Sequence, residues 1–209
     1  MSELVQYDAN WGAGQDLDKS DLVLPKIMLM QAMSDLVSEG KAKPGDFINS
    51  VDGTVLGSKD KGVEVIIFRA NKIIQVYNGD EYVRTEPFTA ETQSLLYDKS
   101  EGPDFRKNVV MNFSVLLPKD VKDGSAFPMI LSFKRTSLGA GKKLATLLIR
   151  LQMMKKPSAA KVFKISAEQQ ENDKGKFFTM NVAEGRDTTE QEILDAQLWY
   201  KLTEGKKYE

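Results

Sequence analysis

Apolar residues along this chain follow two rhythms, most clearly in its second half. From Val109 to Leu117, Val109, Met111, Phe113 and Val115 alternate with Val110, Asn112, Ser114 and Leu116. That period of two is the mark of a strand with two faces. Pro128 to Lys134 repeats it, with Met129, Leu131 and Phe133 opposite Ile130, Ser132 and Lys134. The rhythm then changes. Leu144, Leu147, Leu148, Leu151 and Met154 recur every three or four positions, predicting an amphipathic helix over Ser137 to Lys155 that Pro157 ends. Strands are expected again at Lys161 to Ala167 and Lys176 to Val182, around a polar turn at Asn172-Asp173-Lys174-Gly175. Thr188-Thr189 opens a last helix. Thr189 and Glu192 have capping-box spacing, and Ile193, Leu194, Ala196, Leu198, Trp199 and Leu202 are its apolar positions.

The first half is less regular. Residues 1–20 are polar, punctuated by Gly and Asp, and read as a flexible arm. Leu22 to Gln31 is an apolar run broken by Pro25. Pro44-Gly45 and Asp52-Gly53 bracket a short strand, Phe47 to Val51. Further strands are expected at Val63 to Arg69, Ile73 to Asn78 and Glu81 to Pro87, then a loop with a short helical turn from Thr89 to Asp104. The chain therefore reads as mainly β with α elements (α+β), with residues 21–209 as a single domain. The order strand, strand, helix, strand, strand suits an OB-fold-like five-stranded barrel with a helix between strands 3 and 4, extra N-terminal hairpins and a C-terminal helix. A sandwich with an inserted helix would give a similar string, but five or so strands are few for one.

Composition narrows the chemistry. The 209 residues contain neither His nor Cys, which excludes Ser-His-Asp and Cys-His nucleophilic sites, disulfides and thiolate metal sites. An enzyme would depend on carboxylates, Lys or Tyr, with a hard metal such as Mg²⁺. The expectation is a non-enzymatic protein without cofactors. No apolar run approaches the length of a membrane span, and the first residues lack the pattern of a secretory signal, so a cytoplasmic protein is expected.

Charge narrows it further. The formal net charge of −1 conceals a segregation: thirteen Lys/Arg but only Asp120 and Asp123 lie between Phe105 and Ala167. The block is interleaved with strands and a helix, so the cations sit on folded structure and suit a polyanion. Single strands are held by a positive groove plus aromatic faces on which bases stack. Candidates for phosphate contact are Arg69, Lys72, Arg84, Arg106, Lys107, Lys134, Arg135, Lys142, Lys143, Arg150, Lys161, Lys164 and Lys176. The densest cluster is Lys134-Arg135 followed by Lys142-Lys143, where a strand passes into a helix. Tyr77, Tyr82 and Phe105 are the leading stacking candidates, with Phe163 and Phe177 behind them; Phe133, Phe163 and Phe178 sit in strands, where core is the commoner role. Gly139 to Lys143 is not a phosphate loop, because Thr136 stands where its first Gly belongs and Lys143 where its Ser/Thr belongs. Asp16, Asp18 and Asp21 lack the Gly and distal Glu of a calcium loop.

LPKIMLMQAMSDLVSEGKAKPGDFINS, FKRTSLGAGKKLATLL and VFKISAEQQENDKGKFFTMNV together resemble the single-stranded DNA-binding proteins of tailed bacteriophages. The resemblance spans most of the chain as scattered short motifs. It implies an OB-fold core, sequence-tolerant coating of single-stranded DNA, and work in phage replication or recombination. Implied partners are single-stranded DNA and phage or host replication and recombination proteins, in the host cytoplasm; a homo-oligomer stays open. The chain departs from the acidic ending of many such proteins, finishing TEGKKYE. Two alternatives stand beside this reading. One is a protein-interaction module, such as a phage inhibitor of a host protein, docking an acidic partner through the basic block. The other is a carboxylate-and-Mg²⁺ nuclease.

Overall fold

A computed structural model describes residues 24–173 and 175–203. The arm expected over residues 1–20, the acids Asp16, Asp18 and Asp21, the turn residue Lys174 and residues 204–209 lie outside the described residues. The chain is a mixed α/β protein dominated by strands, in one sheet curled into a half-barrel. The strands are β1 (Lys26–Leu29), β2 (Phe47–Asn49), β3 (Val55–Gly57), β4 (Val63–Asn78), β5 (Glu81–Pro87), β6 (Phe105–Leu116), β7 (Met129–Lys134), β8 (Lys161–Asn172) and β9 (Gly175–Asp187). The helices are α1 (Asp35–Ser38), α2 (Ala90–Ser94), α3 (Pro118–Lys122), α4 (Leu138–Met153) and α5 (Glu190–Leu202). Spatial order runs β3-β2-β1-β7-β6-β4-β8-β9, with β5 also on β4. β1 lies parallel to β7, and every other pair is antiparallel.

β4 is the spine, and here the expectation of two strands gives way to one. The polar stretch Arg69 to Lys72 reads as a break, yet β6 pairs with it throughout: Ala70 faces Phe113, Asn71 faces Asn112 and Lys72 faces Met111. A bulge between Ile67 and Arg69 shifts the register of the pairing. The other edge of β4 is divided, Val63–Ile66 pairing with β8 and Ile73–Asn78 with β5. The strand, strand, helix, strand, strand order of the second half is present as β6, β7, α4, β8 and β9. The barrel strands number more than the five expected, because β1 to β3 extend the same sheet.

The main core fills the inside of the curl. Phe113, Val115, Leu131, Phe133, Phe163 and Ile165 are buried there, and α4 closes over them with Leu144 and Leu151. Gly141 permits that approach, since a Cβ at this position would lie 2.7 Å from the Phe133 Cβ. A smaller core lies on the outer face, where Ile66, Phe68, Leu116 and Val162 pack beneath Val121 of α3 and Ala196 and Trp199 of α5. One side chain joins the segment after β1 to β9 across the inside. Gln31 donates through Nε2 to the Phe178 carbonyl at 2.9 Å and accepts the Phe178 N–H at 2.8 Å, as a neighbouring strand would. Ser137 Oγ accepts the Met180 N–H at 3.1 Å beside it.

The capping box expected at Thr189 and Glu192 is present. Glu192 is buried, accepts two bonds from Arg186 at 2.6 and 2.8 Å, and takes the Thr189 N–H at 2.7 Å. The Arg186 guanidinium holds the Glu192 carboxyl below its ordinary pKa. A depressed carboxylate stabilises the fold above its unfolded pKa, and that contribution disappears as pH falls through the folded one. Glu192→Gln should therefore lower the melting temperature at neutral pH and flatten the acid limb below about pH 5. Thermal melts of both proteins across that range test this. Parallel acid limbs would contradict it.

Candidate functional site

The alternation of β7 decides which groups reach the surface. Phe133 turns into the core and is fully buried, so Lys134 turns to the outer face. Residues directly opposite on an antiparallel ladder share a face. Lys134 is thus level with Val110 of β6 and Ile73 of β4, Ser132 with Asn112 and Asn71, and Gln75 with Asn108. β1 adds Lys26 and Met28, both exposed on this face, while Ile27 between them is buried.

Where β7 ends, the sheet opens into a cleft of about 420 Å³. Lys26, Met28, Gln31, Gln75, Lys134, Arg135 and Phe178 are among its lining residues. Burial pushes the Lys134 ammonium below its ordinary pKa, and the neighbouring charges of Arg135 and Lys26 push it the same way. Among the described residues, no acid forms an ion pair with Lys26, Lys134 or Arg135. Three cations converge without a counter-charge.

Aromatic groups border them. The Arg135 guanidinium carbon lies 5.7 Å from the centre of the Tyr77 ring, and Tyr77 meets Tyr82 edge to face at 5.9 Å. Both tyrosines stand on the β4–β5 hairpin, and the Tyr77 hydroxyl donates to Gln75 Oε1 at 3.0 Å. Phe178, on the β8–β9 arm, forms part of the other side, with the Lys59 ammonium 5.2 Å from its ring centre. Arg135 has φ +50°, in the left-handed region, as the chain leaves β7 for the single 3₁₀ turn preceding α4. For a non-Gly residue this conformation costs about 1–2 kcal/mol, and such outliers concentrate at functional sites.

The other candidates are dispersed. Arg84 bonds Glu86 and Glu101, Lys107 reaches the same Glu101 at 3.5 Å with its side chain largely buried, and Arg106 pairs with Asp80 at 2.8 Å. Arg69 lies against the Tyr200 ring and donates to the Tyr200 carbonyl at 3.0 Å, which fastens α5 to β4. Lys72 stacks on Phe88 at 4.2 Å. Lys164 lies on β8 across from Glu64, at the end of β4 remote from Tyr77. Lys142 and Lys143 are exposed on the first turns of α4, and Phe105 is half-buried at the start of β6. Arg150 and Lys161 pair with Glu184, and Lys161 also with Asp187. Lys176 is exposed on the β9 arm and Phe177 half-buried beside it. Phe163 has no exposed surface, so of its two readings core holds and stacking does not.

Lys26, Gln75 and Phe178 were not among the sequence candidates for the cleft. Lys26 carried a signal: it is a cation alternating with Ile27 in an apolar run. Phe178 carried none, since its position depends on β9 approaching the segment that follows β1.

Residues 1–208 match the model of the family described as Pam3 phage gp34-like protein. The chain belongs to this family. It is accordingly a member of a phage protein family, and the match covers the described fold together with residues 1–23. No curated protein and no solved structure matches the chain. Among the described residues of this family member, no helix is long and apolar enough to cross a membrane.

Proposed function

We propose that this phage protein coats single-stranded DNA in replication or recombination, without cutting it and without a cofactor, in the host cytoplasm. The observation that carries the reading is the cleft in which Lys26, Lys134 and Arg135 meet without an acid, with Phe178 in its lining and the Tyr77–Tyr82 pair beside Arg135. The cations take phosphates, and the tyrosines and Phe178 offer faces on which bases of any identity stack, at about 1–3 kcal/mol per base. In this reading the curled sheet is an OB-type barrel, and the strand crosses its outer face between the two hairpin arms.

Fluorescence titration with oligo-dT, its duplex counterpart and increasing salt tests the proposal. Single strands should bind more tightly than duplex. The affinity should fall with a log–log salt slope of about −2 if three phosphates are neutralised. Labelled DNA should stay intact in Mg²⁺ or Mn²⁺. Equal affinity for duplex and single strand would overturn the reading. No increase in affinity with oligonucleotide length would favour docking of an acidic protein partner through the same cations.

A further inference from the structure

The lysines of this chain differ in what stands beside them. Lys41 lies beside Glu39, and Lys161 beside Asp187 and Glu184; these carboxylates hold both ammonium groups above their ordinary pKa. Lys134 is placed the opposite way. It ends β7 level with the buried Val110, in company with Arg135 and Lys26, and no acid is found among the described residues that line the cleft. Partial burial and two like charges push its nitrogen toward the free amine. Arg135 keeps its charge at any accessible pH.

A free amine attacks carbonyl groups, and a lysine is primed for that role by burial or by a neighbouring cation. Lys134 has both. Holding a phosphate needs neither, since a full ammonium does it best. The rest of the cleft says which carbonyl compound fits. Arg135 and Lys26 call for phosphate. The volume, about 420 Å³, lies within the range of small-molecule sites. The matching substrate class is an aldehyde flanked by phosphate. In a DNA strand, that group is the ring-opened deoxyribose of a nucleotide that has lost its base, with a phosphate on each side.

We propose that Lys134 captures a phosphate-flanked aldehyde as an imine, while Arg135 and Lys26 hold the phosphates. The nitrogen lone pair bonds to the aldehyde carbon, and the carbonyl π pair moves to oxygen. The adjacent cations stabilise that negative oxygen until it takes up the proton the nitrogen releases. The hydroxyl so formed then leaves as water with the second amine proton, and a C=N bond remains. Amine and aldehyde become imine and water, with no oxidant or reductant. Abasic DNA as the source rests on the strand binding proposed above; the amine chemistry does not.

Sodium cyanoborohydride reduces an imine to a stable amine, so trapping on the full-chain protein tests the proposal. One arm uses oligo-dT carrying a single abasic site, the other glyceraldehyde phosphate. Peptide mapping of the wild-type adduct should place the label on Lys134 in both arms. Lys134→Arg, with protein in excess, should lower the trapped fraction about tenfold. Lys26→Arg removes the other cleft amine but keeps its charge, and should leave the label on Lys134. Label from the small aldehyde alone would support the amine and assign it free sugar phosphates. If the oligonucleotide also fails to bind, the coating falls and the amine stands. An oligonucleotide that binds while neither arm labels Lys134 overturns the proposal and leaves the coating. Label spread evenly over the lysines, or lost with Lys26→Arg, overturns it as well.

Discussion

Oligo-dT affinity at low salt is expected to fall about a hundredfold when Lys134 and Arg135 are both replaced by glutamate, a change of about 2.7 kcal/mol. The two side chains supply adjacent charges in a cleft that holds no acid among the described residues. Reversing them removes two phosphate contacts and puts repulsion in their place. The log–log salt slope should also become shallower by about 1.4. The fold should survive, since Lys134 and Arg135 are exposed and make no ion pair there. Two comparisons isolate the cause. Arg135→Gly keeps a residue suited to φ +50° while deleting the guanidinium, so it should lose affinity without losing stability. Lys107→Ala should leave affinity nearly unchanged, because that ammonium is turned toward Glu101. Wild-type affinity in a folded Lys134→Glu/Arg135→Glu protein would remove the cleft from consideration.

The largest stability effect should come from Gly62, well away from the cleft. It has φ +69°, and a Cβ there would stand 2.3 Å from the Ile165 carbonyl oxygen. Its own carbonyl would lie 1.9 Å from a Cβ placed on Gly57. Three backbone segments pass at this point: the end of β3, the entry to β4 and the middle of β8. None is a flexible side chain that could turn aside. Gly62→Ala should cost about 3–4 kcal/mol or prevent folding, since strain and a backbone clash coincide. Gly79→Ala supplies the contrast. Its φ is +58°, but nothing lies within 4 Å of the added Cβ, so about 1 kcal/mol is expected. Denaturant midpoints of the two variants measure the difference, and equal midpoints would mean that the close approach carries no energy.

These examples show where sequence was legible. β6, β7 and α4 announce themselves because their apolar periods are local and uninterrupted, and α5 because a capping box is local chemistry. β4 does not, because Arg69 to Lys72 resembles a break until β6 lies alongside. β1 is four residues long and is held between β2 and a parallel partner, β7, about a hundred residues away. The site divides in the same way. Lys134, Arg135, Tyr77 and Tyr82 stood out as a charge cluster after a strand and as tyrosines flanking a turn. Phe178 joins through a bond to Gln31, 147 residues distant. The basic block also proved less uniform than its composition suggested, because Asp80, Glu101, Glu184 and Asp187 arrive from elsewhere and pair with Arg106, Lys107, Arg150 and Lys161. What they leave uncovered is more informative than the sum.

The unopposed cations at Lys26, Lys134 and Arg135 also bear on the free protein. Crowding an ammonium beside two like charges, partly out of water, works against the folded chain. Removing a proton from Lys134 at high pH relieves that tension, and dissolved salt does so by screening. Any anion lodged among the three side chains does so most directly, and binding to the native state alone raises its apparent stability. The melting temperature is therefore a gauge of occupancy: the residues that draw a ligand in are those whose mutual repulsion it quiets.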